Sequence, residues 1–384
     1  MVDSLTIRER LLRAMRGQEL DRVPNAPRIA VWLAEYLGDG GPEGHLRLAR
    51  EMPFDPLDCV GGGPHNYVYA ADGDYREFDN ITVTVTRERQ GQADLISREV
   101  KTPAGTLRDS YKLGHPWSMY GAGCNPYRME HLVKEPKDLD ALPFIMPDPE
   151  TDDYRHAARL QEQLGDDILI ELRPTIGADH YLADAIGNEN AMVLYYEDRE
   201  FFDQALLSFH RYCQKALRRA CQSGVEVIFD SWYNWSLSAG WSPAIYRDAF
   251  LPLIKENVAI VHEHGLVYHL YDDGKCMPLL QDWKRIGVDV VNTLPPPPVG
   301  DVDMAEAKRL VGDRICLMGN IDLHYAIKLM KPDEIRDVVR RTMEAAAPGG
   351  RFILSTSDSI RDGTPVENVR AYMEAGREFG ARYL

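Results

Sequence analysis

VEVIFDSWYNWSLSAGWSP (Val225–Pro243), followed by HGLVYHLYDDGKC (His264–Cys276), is the stretch that decides the fold. Val225–Phe229 and Leu266–Leu270 are short apolar runs, partly β-branched and closed by polar or Gly residues, as strands of a buried parallel sheet read. Pro243–His264 between them has the length and amphipathic pattern of a helix, so the unit is β-α-β. Polar groups just past such strands face the crevice at the carboxyl ends, where α/β proteins bind ligands. Asp230, Trp232, Tyr233, His269, Tyr271 and Asp273 are therefore expected to line one site.

The same pattern runs outward in both directions. After a helical arm (Ser4–Arg16, within an arm of residues 1–25), strands are expected at Arg28–Leu33, Leu57–Val60, Asp167–Leu172, Val225–Asp230, Leu266–His269, Val288–Asn292, Ile315–Gly319 and Phe352–Thr356. Most follow a helical segment. Residues 64–115 break the pattern, because ITVTVTRER and LISREVKTPAGTLRDS alternate with period two, as antiparallel hairpins do. Eight strands in β/α alternation predict an α/β protein, a single-domain (β/α)8 TIM barrel over 1–384 with a β-hairpin insertion after the second strand; an open doubly wound sheet is the main competitor. Pro295–Pro298 reads as a rigid turn on the carboxyl-end rim.

Composition narrows the class. The chain has 384 residues, 44% of them hydrophobic, enough for a large core. It contains no run of eighteen apolar residues, and MVDSLTIRERLLRAMRG lacks the apolar core of a secretory signal. Six scattered cysteines suit a reducing compartment, so a cytoplasmic enzyme is expected. A net charge of −16 argues against nucleic acid as a partner.

RERLLRAMRGQELDRVP (Arg8–Pro24), FDSWYNWSLSAGWSPAIYRDAFLPLIKENVAIVHEHG (Phe229–Gly265), GNID (Gly319–Asp322) and TPVENVRAYMEAGREFG (Thr364–Gly380) resemble, in content, order and spacing, the uroporphyrinogen decarboxylase superfamily. The resemblance covers essentially the whole chain and implies the same (β/α)8 barrel. True decarboxylases carry an arginine-rich loop of the type R-P-x-W-x-M-R-Q-A-G-R, whose forked guanidinia clamp the carboxylates of a tetrapyrrole. Here APRIAVWLAEYLG (Ala26–Gly38) keeps Arg28 and Trp32 but has no second or third arginine, which disfavours porphyrin decarboxylation. The other large branch transfers methyl groups to or from corrinoids. Its thiol-methylating members hold zinc with a His-x-Cys after strand five and a Cys after strand eight. This chain reads His269-Leu270-Tyr271 and Ser357-Asp358-Ser359 at those places.

Asp248, Cys276 and Cys316 stand at D-x27-C-x39-C, similar to the zinc motif of veratrole-type aryl methyl ether O-demethylases. The resemblance thus implies an O-demethylase methyltransferase that moves a methyl group from an aryl methyl ether (veratrole or guaiacol type) to a Co(I) corrinoid (cobalamin), with zinc on those three residues. The alternatives are a thiol or amine methyltransferase of the same branch, or a non-catalytic barrel that binds a small aromatic ligand.

Ether cleavage needs a proton donor or Lewis acid at the leaving phenolate and a flat slot for the ring. His269 or Tyr271 would donate the proton, with Asp230 or Asp273 orienting the donor. Trp232, Tyr233, Trp235 and Trp241 would wall the ring, and Asn320, Asp322, Asp358 or Arg361 would bond its substituents. Arg173 and His180 would contact substrate or partner. His262 and His264, at a helix end, need no chemistry to explain them. Corrinoid modules carry D-x-H-x-x-G, and the nearest string, DLHYAI (Asp322–Ile327), lacks its glycine. The cofactor is therefore expected on a separate corrinoid protein that docks transiently. Residues 64–115 fit either that docking or the contact of a homodimer.

Overall fold

The computed structural model describes residues 3–61, 80–91, 93–114, 127–146 and 148–383. They form two compact units: Met1–Gly61 with Tyr154–Pro174 and Ala220–Leu384, and Gly62–Asp153 with Thr175–Arg219. The strands are β1 Leu57–Gly61, β2 Thr82–Gln90, β3 Ala93–Thr102, β4 Gly105–Gly114, β5 Tyr127–Glu130, β6 Leu169–Arg173, β7 Val227–Ser231, β8 Val267–Tyr271, β9 Val290–Thr293, β10 Cys316–Ile321 and β11 Phe352–Thr356. No helix among the described residues is long and apolar enough to cross a membrane.

In the first unit seven strands lie parallel in the order β1-β6-β7-β8-β9-β10-β11. The eighth slot is filled by Pro24–Ala26. Ala26 N–H donates to Leu354 O (2.8 Å) and Leu354 N–H to Pro24 O (2.9 Å), while on the other side Asp55 N–H donates to Asn25 O (2.7 Å) just ahead of β1. This segment joins both edges of the sheet, so the architecture is the expected (β/α)8 barrel. The expected strand at Arg28–Leu33 is corrected: Ala30–Leu37 is a helix. An apolar run of that length satisfies either period. Here it packs as a helix, with Trp32 stacked on Tyr36 at 4.8 Å and its indole N–H donating to Thr364 O (3.0 Å).

The amino end of the barrel is plugged by helix Ile7–Arg16, whose Leu11, Leu12, Ala14 and Met15 pack under Leu169, Val227, Val267, Val290, Cys316 and Ile353. A buried ion cluster ties this plug to the eighth slot. Asp55 accepts from Arg10 Nη1 (3.0 Å), Arg22 Nη2 (2.6 Å) and the Asn25 backbone N–H (2.8 Å), and Arg10 Nε donates to Asp21 (2.7 Å). The Arg10 hydrogen bond outweighs partial burial and holds the Asp21 carboxyl well below its usual range. The Arg8–Pro24 motif is in large part this cluster.

The second unit carries an antiparallel sheet in the order β2-β3-β4-β5. The expected hairpins of 64–115 appear as β2–β4; residues 62–79 lie outside the described residues, and β5 adds a fourth strand. Its buried Arg98 pairs bidentately with Asp109, which also accepts from Arg128 (2.8 Å), and Tyr111 lies beneath both guanidinia.

Candidate active site

Barrel strands alternate between an inward and an outward face. Two residues above the apolar layer of Leu57, Leu169, Val227, Val267 and Val290, the inward positions are Cys59, Glu171, Phe229, His269 and Asn292. One step further come Arg173, Ser231, Tyr271 and Asn320. Polarity therefore begins one layer above the core and grows toward the carboxyl-end mouth.

The centre of the polar layer is a pair. His269 Nδ1–H donates to Glu171 Oε1 at 2.7 Å, and both side chains are essentially inaccessible, at 0% and 1% exposure. Strand β7 lies between β6 and β8, so this bond spans the inside of the barrel. Phe229 on β7 meets the imidazole edge-on at 5.1 Å. A carboxylate on Nδ1 fixes ring orientation and tautomer, leaving Nε2 as the working atom. His269 Nε2 and Glu171 Oε2 are both buried and have no hydrogen-bond partner among the described residues. Glu171 was not expected from the sequence, although a carboxylate inside the apolar strand LIELR was a signal for it.

Around the mouth lies a second cluster. The Arg28 guanidinium sits 4.5 Å over the Tyr271 ring and 5.8 Å from that of Phe229. Its Nη1 is 3.7 Å from Asp358, which accepts from Tyr271 OH (3.4 Å) and Arg361 (2.9 Å). Burial, with the Asp358 charge beside it, pushes the Tyr271 phenol far up, so it holds its proton firmly. The same two causes, in the same order, push Asp273 up to about 6. Asp273 also bonds the Gly274 N–H (2.9 Å), as a turn residue does.

The remaining expected residues are divided between the mouth and the surrounding structure. Asp230 is on the opposite phase of β7, accepting from Asn257 of helix Leu251–Glu263 (2.9 Å) and from Tyr268 OH (2.7 Å), so it holds the sheet to its helix. Trp232, Trp235 and Trp241 are almost fully buried in an aromatic stack on Phe250, with Trp235 parallel to it at 4.4 Å. Tyr233 alone of that group is half-buried and reaches Tyr271, at 6.1 Å. Arg173 donates to Ser231 (2.7 Å). His180 belongs to the second unit, beside Asp179 (3.2 Å). Asn320 is buried at the end of β10. Asp322 caps the turn Leu323–Lys328, accepting the His324 N–H at 2.8 Å and that of Tyr325.

The D-x27-C-x39-C residues do not fit a shared zinc. Cys316 opens β10 in the apolar bottom layer, and burial pushes its thiol up to about 12. Cys276 lies beyond the opposite end of β8, its buried Sγ turned to Gly274 O (3.4 Å), and Asp248 is exposed on the segment Tyr246–Phe250. No group of three or more metal-ligating side chains gathers among the described residues.

Comparisons with known proteins agree with this architecture. The sequence profile of the uroporphyrinogen decarboxylase family (URO-D) matches residues 113–379, more than half of the chain. The uroporphyrinogen decarboxylase of Chromohalobacter salexigens is 24% identical over 396 aligned positions that cover 98% of each protein. The chloroplastic uroporphyrinogen decarboxylase of Nicotiana tabacum is 31% identical over 176 positions, 44% of this chain and 40% of its own. Among solved structures, a methyltransferase from Methanosarcina mazei superposes with a TM-score of 0.62 at 18% identity, covering 98% of this chain and 99% of the other, a likeness of fold.

Proposed function

The chain belongs to the uroporphyrinogen decarboxylase family, and from that premise we propose that it is an enzyme of the family's methyl-transfer branch, moving a methyl group from an aryl methyl ether to the corrinoid of a separate partner protein. The observation that carries this reading is the buried Glu171–His269 pair with a free Nε2 at the barrel centre, beside Phe229 and one layer below Tyr271, which Tyr233 contacts.

Decarboxylation of a polycarboxylate is less well supported. Of the guanidinia near the mouth, Arg361 bonds Asp358 and Arg173 bonds Ser231, while Arg28 alone keeps a buried Nη1 that makes no hydrogen bond, 3.7 Å from Asp358. A substrate rich in carboxylates needs several arginines whose forks are open to it, and one open guanidinium falls short of that.

The corrinoid would supply the nucleophile that takes the methyl group. Asp322 is committed to a local cap, accepting the backbone N–H groups of His324 and Tyr325, and the string Asp322–Ile327 lacks the glycine of a D-x-H-x-x-G loop, which supports a partner-borne cofactor. The chain's own part is to seat the ring against Phe229 and Tyr271 with the methyl directed to the mouth, and to protonate the leaving oxygen. The methyl–oxygen bond would break with its electron pair left on the oxygen, the methyl carbon would be bonded by the pair that the acceptor supplies, and the oxygen would take the proton of His269 Nε2. Glu171 stabilises the charged ring before transfer and holds it in place after. Tyr271, whose proton is held tightly, anchors the mouth and is the poorer donor.

The test is incubation of the protein with guaiacol and a reduced corrinoid protein, with catechol quantified chromatographically. Catechol formation that depends on both proteins is expected. Production of coproporphyrinogen from uroporphyrinogen, with no phenol from any aryl ether, would contradict the reading.

A further inference from the structure

The inner face of the second unit's sheet is closed along β3 and open along β2. On β3, Ile96, Arg98 and Val100 are buried, at 2%, 2% and 0% exposure. Opposite them on β2 stand Arg87, Val85 and Val83. Opposed residues of an antiparallel pair point to the same side of the sheet. Val85 is nevertheless 39% exposed and Val83 only half-buried. On the outer face Thr82, Thr84, Thr86, Glu88 and Gln90 are exposed as well. Among the described residues β2 is an edge strand, bonded to β3 alone. It holds no proline, and it pairs with β3 from Thr82 to Gln90 without a break in register. Such an edge is a template for another strand.

We propose that a second copy of this chain adds its own β2 to that edge, antiparallel, with Thr86 facing Thr86 of the other copy across a two-fold axis. The strand's own sequence selects both the partner and the register. Odd-numbered residues line the inner face, so two copies continue that face only when odd residues oppose odd ones. An axis at Arg87 or Glu88 sets arginine against arginine, and one at Val85 leaves Arg89 and Gln90 outside the pairing. With the axis at Thr86 the whole strand pairs: Val85 meets Arg87, Val83 meets Arg89, Thr84 meets Glu88 and Thr82 meets Gln90. No like charges then stand directly opposed. The arginine stems cover the open valines, and Asp94 stays beside their heads, 3.7 Å from Arg87 and 3.6 Å from Arg89. On the outer face the threonine hydroxyls donate to the Glu88 carboxylate and the Gln90 amide oxygen. One strand pair lies at the small end of specific interfaces, so the dimer should form at about 10–100 μM chain.

The experiment joins light scattering of the full chain with oxidative cross-linking of single-cysteine additions, read on non-reducing gels against the unaltered protein. The scattering mass should rise from one chain toward two as concentration increases. Thr86→Cys should cross-link, because residues facing each other across such an axis have Cα atoms about 4.5–5.5 Å apart, within reach of a disulfide. Thr84→Cys and Glu88→Cys should each stay at the background of the native cysteines when alone, and cross-link when mixed with one another. Val85→Arg sets arginine against Arg87 at an exposed position, so the chain should stay folded while the mass stays at one chain. A single-chain mass for the unaltered protein at about 100 μM would overturn the proposal. So would cross-linking of Thr84→Cys alone to the same extent as Thr86→Cys, or a dimer that persists in Val85→Arg. The outcome is independent of which methyl donor the barrel uses.

Discussion

Asp273 shows how the mouth cluster couples to pH. Burial first, and the Asp358 charge second, raise its carboxyl to about 6 from an ordinary value of 3.8. A carboxyl raised in this direction binds its proton more tightly folded than unfolded. Its stabilisation is complete below pH 3.8 and is lost as pH rises through 6. Asp273→Asn should therefore be more stable than the unaltered protein at pH 7.5, by at most about 3 kcal/mol before solvent screening reduces it, and equal to it near pH 3.8 or below. Urea midpoints at the two pH values check both the sign and the window. At this scale the sequence was half legible. His269 and Tyr271 stand on the strand end where the β-α-β pattern put them, and the structure adds Asp358 to Tyr271. Asp230 and Trp235 could not be assigned from pattern alone, because one residue of phase decides whether a strand-end side chain enters the barrel or meets the helix outside it. Glu171 escaped because its strand reads as uniformly buried, and burial hides which face a residue takes.

The rim after β7 is held by stacking. Trp235 is fully buried against Phe250 at 4.4 Å, with Trp232 and Trp241 beside it, and this stack carries the loop that positions Tyr233 against Tyr271. Trp235→Ala should cost about 3–5 kcal/mol, read as a lowered denaturant midpoint. An effect below about 1 kcal/mol would mean that the loop stands without the stack. The strands from β6 to β11 were readable because each is a short apolar run closed by polar residues. The eighth slot was not. It is filled by Pro24–Ala26 alone, too short to show a period, while the adjoining RIAVWL offered an equally apolar run that folds as a helix.

Over the whole molecule, closure of the barrel depends on charges far from the chemistry. Asp55 is fully buried between Arg10 and Arg22, joining the amino-terminal plug to the eighth slot. Asp55→Ala leaves two buried guanidinia short of their shared counter-ion. It should destabilise the protein by about 3–5 kcal/mol while leaving the Glu171–His269 pair intact, as seen in denaturation midpoints against ligand binding at low temperature. Loss of binding without loss of stability would contradict that division of labour. The strand count and the alternation that announced a barrel were visible in the sequence because every β/α unit repeats the same hydrophobic grammar. The four-stranded sheet of the second unit was visible only as hairpins, since β5 is four residues long and exposed to half-buried along its length.

The central claim is that His269 protonates the leaving oxygen of an aryl methyl ether. The most direct measurement compares unaltered protein with His269→Gln on two substrates: guaiacol, and guaiacol carrying a nitro group para to the methoxy. The nitro group makes the departing phenolate stable without a proton. The predicted result is a rate loss on the order of 10²–10⁴ with guaiacol that shrinks toward unity with the nitro substrate. An equal loss with both would contradict the claim, because His269 would then serve the barrel without serving the leaving group.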